Sequence, residues 1–350
     1  MYSSFEDIGI IGISTTVPSS IVDNSSFIHI LSDKEIRKFE KTVGIKERRW
    51  ASSGVTSSDL GQQAANRLIE QLGVNRSDIG AVLFLSQTPD FIIPFSSNIL
   101  QDKLNIPQNS LCLDINAGCA GFIQGLFNAF SIVNTLPKGK MVLLVVAETL
   151  SKILSMKDKS TSMLFGDGAA AILVVKLDVS STTYFNFFSD GSHYQSIMIP
   201  DGGFRNSVSF KSFETKVDDK NNEKTALKLH MNGQAVFDFT LREVAVGIKN
   251  LVEDISMQLS AIDYFILHQS NHYIIKQIAA QLNVSEEKML TNIQFYGNTS
   301  GVSIPLAISD FNKELSQSST IMLSGYGSGL NWGNCIINLS KTNILPITSV

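Results

Sequence analysis

One cysteine in the sequence lies where its side chain could act as a nucleophile. Cys119 follows the apolar run Leu113–Ile115, stands between Gly118 and Gly121, and precedes an apolar stretch. This pattern predicts a strand, a tight turn and a helix, with Cys119 at or near the helix N-terminus. There the partial positive charge and free N–H groups stabilise a thiolate and lower the pKa of the thiol.

The other two cysteines, Cys112 and Cys335, lie inside apolar runs, and we predict that both are buried structural residues. The odd number and the spacings of the three cysteines fit neither a disulfide framework nor a zinc site.

His268 ends the apolar run Phe265–Leu267. At that end of a strand, side chains project into the crevice of an open α/β sheet. His272 stands four residues further on, the spacing of the His-Glu-x-x-His zinc motif, but Gln269 occupies the position of its glutamate. The sequence therefore disfavours a zinc hydrolase.

Two glycine-containing segments follow His268. Asn298 comes after a glycine in a predicted loop before an apolar helix, a position more often structural than chemical. The segment Ser324–Gly333 lies between two apolar runs and fits neither a dinucleotide fingerprint, since Leu330 replaces the third glycine, nor a P-loop. Such a loop can present a backbone N–H to an oxyanion.

The remaining pattern predicts the elements that carry these residues. Helical periodicity is present at Leu60, Ala64, Leu68 and Leu72, with Ser57 and Ser58 as candidate caps, and again over 274–282. Apolar runs of strand length alternate with such segments; they are Ala81–Leu85, Ser110–Ile115, Met141–Ala147, Ala169–Val175, Tyr264–Leu267, Thr320–Leu323 and Cys335–Leu339. We predict an α/β fold with a largely parallel sheet covered on both faces.

The element order indicates two similar halves, residues 1–178 and 179–350, and the polar segment 212–226 is predicted to be a surface loop or hairpin. Of the 350 residues, 43% are hydrophobic and 17% charged, which excludes a disordered class. The net charge of −4 gives no reason to expect nucleic acid or an anionic membrane as partner. Without a signal-peptide pattern or a long apolar stretch, we expect a soluble cytoplasmic protein.

The segments around Cys119, His268, Asn298 and Gly327, in this order and with 30 residues from the histidine to the asparagine, resemble the β-ketoacyl-acyl-carrier-protein synthase III family of the thiolase superfamily. The segments 42–49 and 163–168 resemble further family signatures, the latter as a structural turn before a core strand. The resemblance implies a five-layered αβαβα fold of two similar halves, a homodimer, and an active site between the halves. It also implies that a residue of the partner subunit closes the acyl pocket, and Ile93 is the candidate.

The implied reaction is a decarboxylative Claisen condensation. Cys119 takes the acyl group from a thioester, and the N–H groups of Cys119 and Gly327 meet the oxyanion. His268 and Asn298 then donate hydrogen bonds to the carbonyl of a malonyl thioester, which loses carbon dioxide and attacks the acyl-cysteine. Further candidate substrate-binding residues are Asn271, Phe165, Ser328 and Lys159. No metal or redox cofactor is implied; coenzyme A or the phosphopantetheine of an acyl carrier protein carries the substrates.

The entrance departs from the family pattern. Lys38 and Lys159 stand where a tryptophan and an arginine contact coenzyme A, Tyr273 replaces an arginine that faces the carrier protein, and Ser328 replaces a glycine. These differences favour a specialised member that takes its acyl group from a carrier protein, for a secondary metabolite or the acylation of a surface sugar.

Four alternatives stay open on the sequence. The same three residues could transfer an acyl group to an alcohol or amine. They could also condense acetyl and acetoacetyl thioesters as hydroxymethylglutaryl-CoA synthase does, which requires an additional glutamate base. The chain could be a non-catalytic partner subunit. The order Cys, His, Asn also occurs in papain-like proteases, but the context of Cys119 differs from theirs.

Overall fold

The computed structural model describes residues 1–178, 180–219, 221–315 and 319–350. In these ranges the strands are, in chain order, β1 (Tyr2–Glu6), β2 (Ile8–Val17), β3 (Ile21–Asp23), β4 (Glu47–Arg49), β5 (Ile79–Leu85), β6 (Leu111–Ile115), β7 (Met141–Glu148), β8 (Gly168–Lys176), β9 (Thr182–Ser189), β10 (Ile197–Met198), β11 (Lys216–Val217), β12 (Glu223–Lys224), β13 (His230–Met231), β14 (Tyr264–Leu267), β15 (Thr320–Gly327), β16 (Asn331–Asn338), β17 (Asn343–Ile344) and β18 (Thr348–Ser349). The α-helices are α1 (Asp33–Thr42), α2 (Ser57–Leu72), α3 (Ser96–Lys103), α4 (Gly121–Thr135), α5 (Gly233–Asp254), α6 (His272–Leu282), α7 (Ile293–Tyr296), α8 (Ser303–Asp310) and α9 (Asn312–Leu315).

Two large mixed sheets form the centre of the molecule. A seven-stranded sheet has the order β17-β2-β8-β7-β5-β6, with β18 also paired to β2, and a five-stranded sheet has the order β1-β9-β16-β15-β14. Strand β5 runs parallel to β6 and β7, but β8 is antiparallel to β2 and β7, and β16 to β9 and β15. Among the described residues, four of the six strand pairs in the first sheet are parallel, as predicted, whereas only one of the four pairs in the second sheet is parallel, so the prediction is wrong for the second sheet. Apolar residues on both faces of a strand indicate that both faces are buried. Antiparallel strands can be buried in this way too, so the pattern does not reveal strand direction.

Helices cover both outer faces of the sheets and fill the space between them. Leu60 and Leu68 of α2 pack on the outer face of the first sheet. Phe122 and Leu126 of α4 lie between the sheets, together with α8. Helices α5 and α6 pack on the outer face of the second sheet. This is the predicted five-layered αβαβα arrangement. No helix in the described ranges is both long and apolar enough to cross a membrane.

The two sheets share one strand order. Strands β2-β8-β7-β5 and β9-β16-β15-β14 follow each other with the same relative directions, antiparallel, antiparallel and parallel. Each chain terminus pairs with the sheet of the other half: β1 joins the second sheet, and β17 and β18 join the first. The division into 1–178 and 179–350 stays a prediction, and Val179 lies outside the described residues.

The structure corrects the predicted cap of α2, confirms a hairpin in the polar segment 212–226, and confirms the burial of one of two cysteines. Helix α2 is capped by Thr56, whose hydroxyl accepts from Asp59 N while Asp59 bonds Thr56 N, so Ser57 and Ser58 stand inside the first turn. The polar segment 212–226 forms the hairpin β11–β12, with Lys220 outside the described residues. Cys335 is buried as predicted, but Cys112 is only half-buried because β6 is an edge strand.

Candidate active site

A cavity of about 490 Å³ brings together residues from three distant parts of the chain. Cys119 lies between β6 and α4, His268 directly follows β14, and Asn298 follows α7; all three line this cavity, and so does Gly327. The strand ends and turns predicted from the sequence therefore meet at one place. The catalytic roles of these residues stay predictions.

Cys119 stands two residues before Gly121, the first residue of α4. A Cβ at Gly327 would lie 2.5 Å from Cys119 Cβ, so only glycine permits this approach. Cys119 Sγ lies 3.7 Å from Ser300 Oγ. Burial raises the pKa of the Cys119 thiol to about 12, against the hydrogen bond from Ser300. This direction is opposite to the predicted lowering of the pKa, because loss of solvation outweighs the hydrogen bonds that favour the thiolate.

His268 is buried, and its ring is fixed by one hydroxyl group. Nδ1 lies 2.7 Å from Ser303 Oγ, which also accepts a hydrogen bond from Gln269 N. This pattern favours a Ser303 hydroxyl that donates to Nδ1, which leaves the ring proton on Nε2. Burial lowers the pKa of His268 to about 3, against a hydrogen bond from the ring to the Ser300 backbone, so the imidazole is neutral at pH 7.

Asn298 is held by backbone and side-chain hydrogen bonds. Its N–H donates to Leu164 O and its carbonyl accepts from Gly166 N, which makes a short parallel bridge. Its side-chain Oδ1 accepts from Ser300 N at 2.8 Å, which leaves the Nδ2 amide group as a donor. A Cβ at Gly166 would lie 2.1 Å from Tyr296 O. The 163–168 segment thus precedes the core strand β8, as predicted, and also positions Asn298.

Four of the five predicted substrate-binding residues line the cavity: Asn271, Phe165, Ser328 and Lys159. Asn271 Oδ1 accepts from Tyr273 N as the N-cap of α6, so only its amide group remains for a ligand. The structure does not bring Ile93 into the cavity of its own chain, and 83% of this side chain is exposed.

Sequence reasoning missed four residues around the centre. Ser300 and Ser303 fix Asn298 and His268, and Tyr326 donates to His268 O at 3.1 Å. Glu148, which ends β7, is fully buried and accepts from Gln87 N at 3.0 Å. Burial raises the pKa of Glu148 to about 7. The signal that could have revealed Glu148 is an acidic residue at the end of an otherwise apolar strand.

The charges around the cavity limit the alternative reactions. Among the described residues that line it there is no aspartate or glutamate, and Lys159 is the one lysine or arginine. Glu148 lies behind the wall, with both carboxylate oxygens bonded to 86–88. The additional carboxylate base of a hydroxymethylglutaryl-CoA-synthase-like reaction is thus absent from the described lining. The described residues also contain no group of three or more His, Cys, Asp and Glu side chains suited to a metal ion.

Two family models and two proteins that match this chain belong to one enzyme family. Residues 113–191 match the model of 3-oxoacyl-[acyl-carrier-protein] synthase III, and residues 252–339 match the model of its C-terminal part. The chain is 35% identical over 334 residues to β-ketoacyl-[acyl-carrier-protein] synthase III of Clostridium acetobutylicum, with 95% of this chain and 98% of the relative covered. The protein of the same name from Streptococcus mutans is 35% identical over 332 residues, covering 92% and 96%.

Solved structures give the same result for the fold. A 3-oxoacyl-(acyl-carrier protein) synthase from Burkholderia xenovorans superposes with a TM-score of 0.92 at 29% identity, covering 99% of both chains. A 3-oxoacyl-(acyl-carrier-protein) synthase III superposes with a TM-score of 0.90 at 32% identity, covering 95% of this chain and 99% of that one.

Proposed function

Because the chain belongs to the 3-oxoacyl-[acyl-carrier-protein] synthase III family, we propose that Cys119, His268 and Asn298 carry out the condensation of an acyl thioester with a malonyl thioester. The chain is an acyltransferase of the condensing-enzyme type, and a protease is excluded by this membership. One observation carries the assignment of residues. A single cavity holds the Cys119 thiol, the neutral imidazole of His268 and the free amide group of Asn298.

In the first half-reaction, Cys119 Sγ attacks the thioester carbon of the acyl donor. A bond forms between Sγ and this carbon, the bond to the carrier sulfur breaks, and the thiol proton ends on the departing carrier thiolate. Since thiol and imidazole are both neutral at rest, the proton leaves Cys119 as the attack proceeds. We assign the N–H groups of Cys119 and Gly327 to the tetrahedral oxyanion, which is supported by the close approach of Gly327.

In the second half-reaction, the malonyl thioester loses carbon dioxide. The electrons of the broken carbon–carbon bond move into an enolate, whose oxygen takes hydrogen bonds from His268 Nε2–H and Asn298 Nδ2–H. The enolate carbon attacks the acyl-cysteine, a new carbon–carbon bond forms, and the Cys119 sulfur leaves and regains a proton from solvent. The product is a β-ketoacyl thioester. In this proposal residues 1–178 supply the nucleophile and residues 179–350 supply both donors, and the chemistry uses no metal or redox cofactor.

We further propose a homodimer in which Ile93 enters the partner's cavity. Strand β6 is an open edge of the first sheet, and Asp114 on β6 accepts from Ser96 N and Ser97 N, so this edge is joined to the first turn of α3. The segment just before α3 exposes a run of large apolar side chains, namely Phe91, Ile92, Ile93 and Phe95. Covering an open edge together with an apolar patch is the physical reason for pairing two copies.

An acyl carrier protein is the proposed carrier of the malonyl group and of the acyl donor of a specialised pathway. Lys38 lies outside the cavity lining, whereas Lys159 lines it and has Glu35 Oε1 at 3.9 Å. This arrangement offers little for stacking on an adenine ring. We place the enzyme in the cytoplasm on its sequence pattern. Initial rates with matched acyl-CoA and acyl-carrier-protein donors test whether a carrier protein delivers the acyl group. A clear preference for acetyl-CoA would contradict this proposal.

Intact-protein mass spectrometry tests the reaction. The protein is incubated with a panel of acyl-CoA and acyl-carrier-protein donors, and release of labelled carbon dioxide from malonyl-acyl-carrier protein is then followed. We expect a mass gain of one acyl group on the wild type and none on Cys119→Ala. A protein that gained no mass with any donor and released no carbon dioxide would be a non-catalytic partner subunit. Product mass separates condensation from transfer to an alcohol or amine.

A further inference from the structure

A second set of polar side chains lines the cavity beside Cys119 and has no role in the condensation. Gln87, Asn116 and Ser328 come from three separate segments and carry amide or hydroxyl groups. Such groups are unfavourable in a pocket for plain hydrocarbon chains. A bound apolar chain would displace the water molecules from these amide and hydroxyl groups and offer no hydrogen bonds in return.

Two of these side chains lie directly beside the residues that flank the nucleophile. A Cβ at Gly118, the residue before Cys119, would lie 2.1 Å from Gln87 Oε1, so the Gln87 amide packs on the glycine backbone. Ser328 follows Gly327, the residue that packs on Cys119. The Gln87 amide nitrogen donates to Ser328 Oγ at 3.2 Å, which joins the two into one polar surface.

This surface is held in place and still has free hydrogen-bonding capacity. Gln87 N donates to the buried Glu148 carboxylate, and Ser328 O accepts from Asn331 Nδ2 at 3.0 Å. The Ser328 hydroxyl accepts from Gln87 and therefore has its own proton to donate, while Gln87 Oε1 accepts no hydrogen bond from the described residues. The Asn116 side chain also has no hydrogen bond to a described residue. A donor and an acceptor thus stand side by side, which is the complement of a hydroxyl group.

We propose, on the basis of the proposed function, that the acyl group loaded on Cys119 carries a hydroxyl substituent on its second or third carbon, bound by Gln87 and Ser328. The polar surface adjoins Gly118 and Gly327, which both lie next to Cys119. It therefore lies beside the first carbons of a chain attached to Sγ. Asn116 supplies a further amide on the same wall. The substrate class is therefore a short hydroxyacyl thioester.

The experiment compares acylation rates of Cys119 by intact-protein mass spectrometry with butanoyl-CoA, 3-hydroxybutanoyl-CoA (both enantiomers) and acetyl-CoA, and with the corresponding carrier-protein thioesters. We expect the wild type to load one 3-hydroxybutanoyl enantiomer at least about tenfold faster than butanoyl from the same carrier, the discrimination expected of a hydrogen bond made only with the hydroxyl. In the double variant Gln87→Met, Ser328→Ala this ratio falls towards one. Gln63→Met, an exposed glutamine on α2 outside this cavity, keeps the wild-type ratio.

The outcomes separate this inference from the function beneath it. Loading of acetyl and butanoyl groups without preference for either hydroxyacyl group overturns the inference and leaves the condensing function intact. A double variant that dissociates on size-exclusion chromatography but keeps the wild-type ratio assigns the amides to the subunit interface, which also overturns it. Failure of every thioester to acylate Cys119 instead contradicts the proposed function.

Discussion

Around Cys119, His268 and Asn298, the polar groups bond to other parts of the same chain, whereas the wall formed by Gln87 and Asn116 is exposed and has hydrogen-bonding groups to spare. His268 Nδ1 and Asn298 Oδ1 both have fixed partners at 2.7–2.8 Å. These contacts therefore hold both side chains in defined orientations. If the proposed function holds, the orientation of the reacting groups is set by contacts within one chain, and the choice of substrate depends on groups that can still bind a ligand.

The largest expected effect is at the nucleophile. Cys119→Ala removes the attacking sulfur, and we expect the rate of condensation to fall by about 10⁴-fold or more, since loss of a catalytic nucleophile has effects of this size. Steady-state kinetics and the acyl-enzyme mass measure it. Cys112→Ala, on the half-buried edge strand, is the control. Residual condensation within tenfold of the wild type would show that another group carries the acyl chain.

The next effect concerns the enolate donors. Asn298→Ala removes the amide that Ser300 N orients, and we expect malonyl decarboxylation to slow by about 10²- to 10³-fold, as for removal of one oxyanion donor. Acylation of Cys119, a separate step, should slow much less. Labelled carbon dioxide release and intact mass, measured on the same sample, distinguish the two steps. Equal loss in both would place Asn298 in the loading step instead.

Glu148 tests how the buried centre responds to pH. Burial raises the pKa of Glu148 from 4.5 to about 7, so its contribution to stability is complete below pH 4.5 and is lost as pH rises through about 7. The difference of about 2.5 pKa units corresponds to a loss of about 3 kcal/mol at most. Glu148→Gln carries no such titration.

Chemical unfolding of wild type and Glu148→Gln at pH 4.5 and pH 8 measures this effect. We expect the stability of the wild type relative to the variant to decrease with pH. The exposed Glu253→Gln substitution should leave the pH dependence as in the wild type. A relative stability that rises with pH would mean that Glu148 is stabilised as a carboxylate by its three hydrogen bonds.

Ser303 tests whether a single hydroxyl holds His268. Ser303→Ala removes the bond to Nδ1, and we expect kcat to fall by about tenfold with little change in KM, the cost of one hydrogen bond in a buried site. Ser309→Ala on the same helix is the matched control, since Ser309 Oγ is buried without a partner among the described residues. A larger effect on KM than on kcat would make Ser303 part of substrate binding rather than of histidine orientation.

The smallest effect is expected at the entrance. Ile93→Ala enlarges the pocket that the partner subunit is proposed to close, and we expect the kcat/KM ratio of hexanoyl to acetyl donors to rise about three- to tenfold, as for one or two methylenes in an apolar pocket. Its exposed neighbour Ile92 provides the control Ile92→Ala. An unchanged ratio would remove Ile93 from the acyl pocket and weaken the contrast between centre and entrance.

The sequence alone determined the fold class, the family and the order of the chemically active segments. The strand Tyr264–Leu267 has the predicted bounds, and Cys119, His268 and Asn298 all lie at predicted turns after strands or before helices. Local patterns predict these features because burial on one face, glycine turns and strand length each constrain the types of neighbouring residues.

The strand directions, the raised pKa of Cys119 and the partners that orient His268 and Asn298 follow from tertiary contacts and could not be read from the sequence. Strand direction depends on which strands pair, and the pKa depends on how much water the surrounding layers remove. Ser303 reaches His268 across 35 residues, and Ser300 reaches Cys119 across 181. These properties arise from contacts between residues far apart in the chain, which no local pattern records.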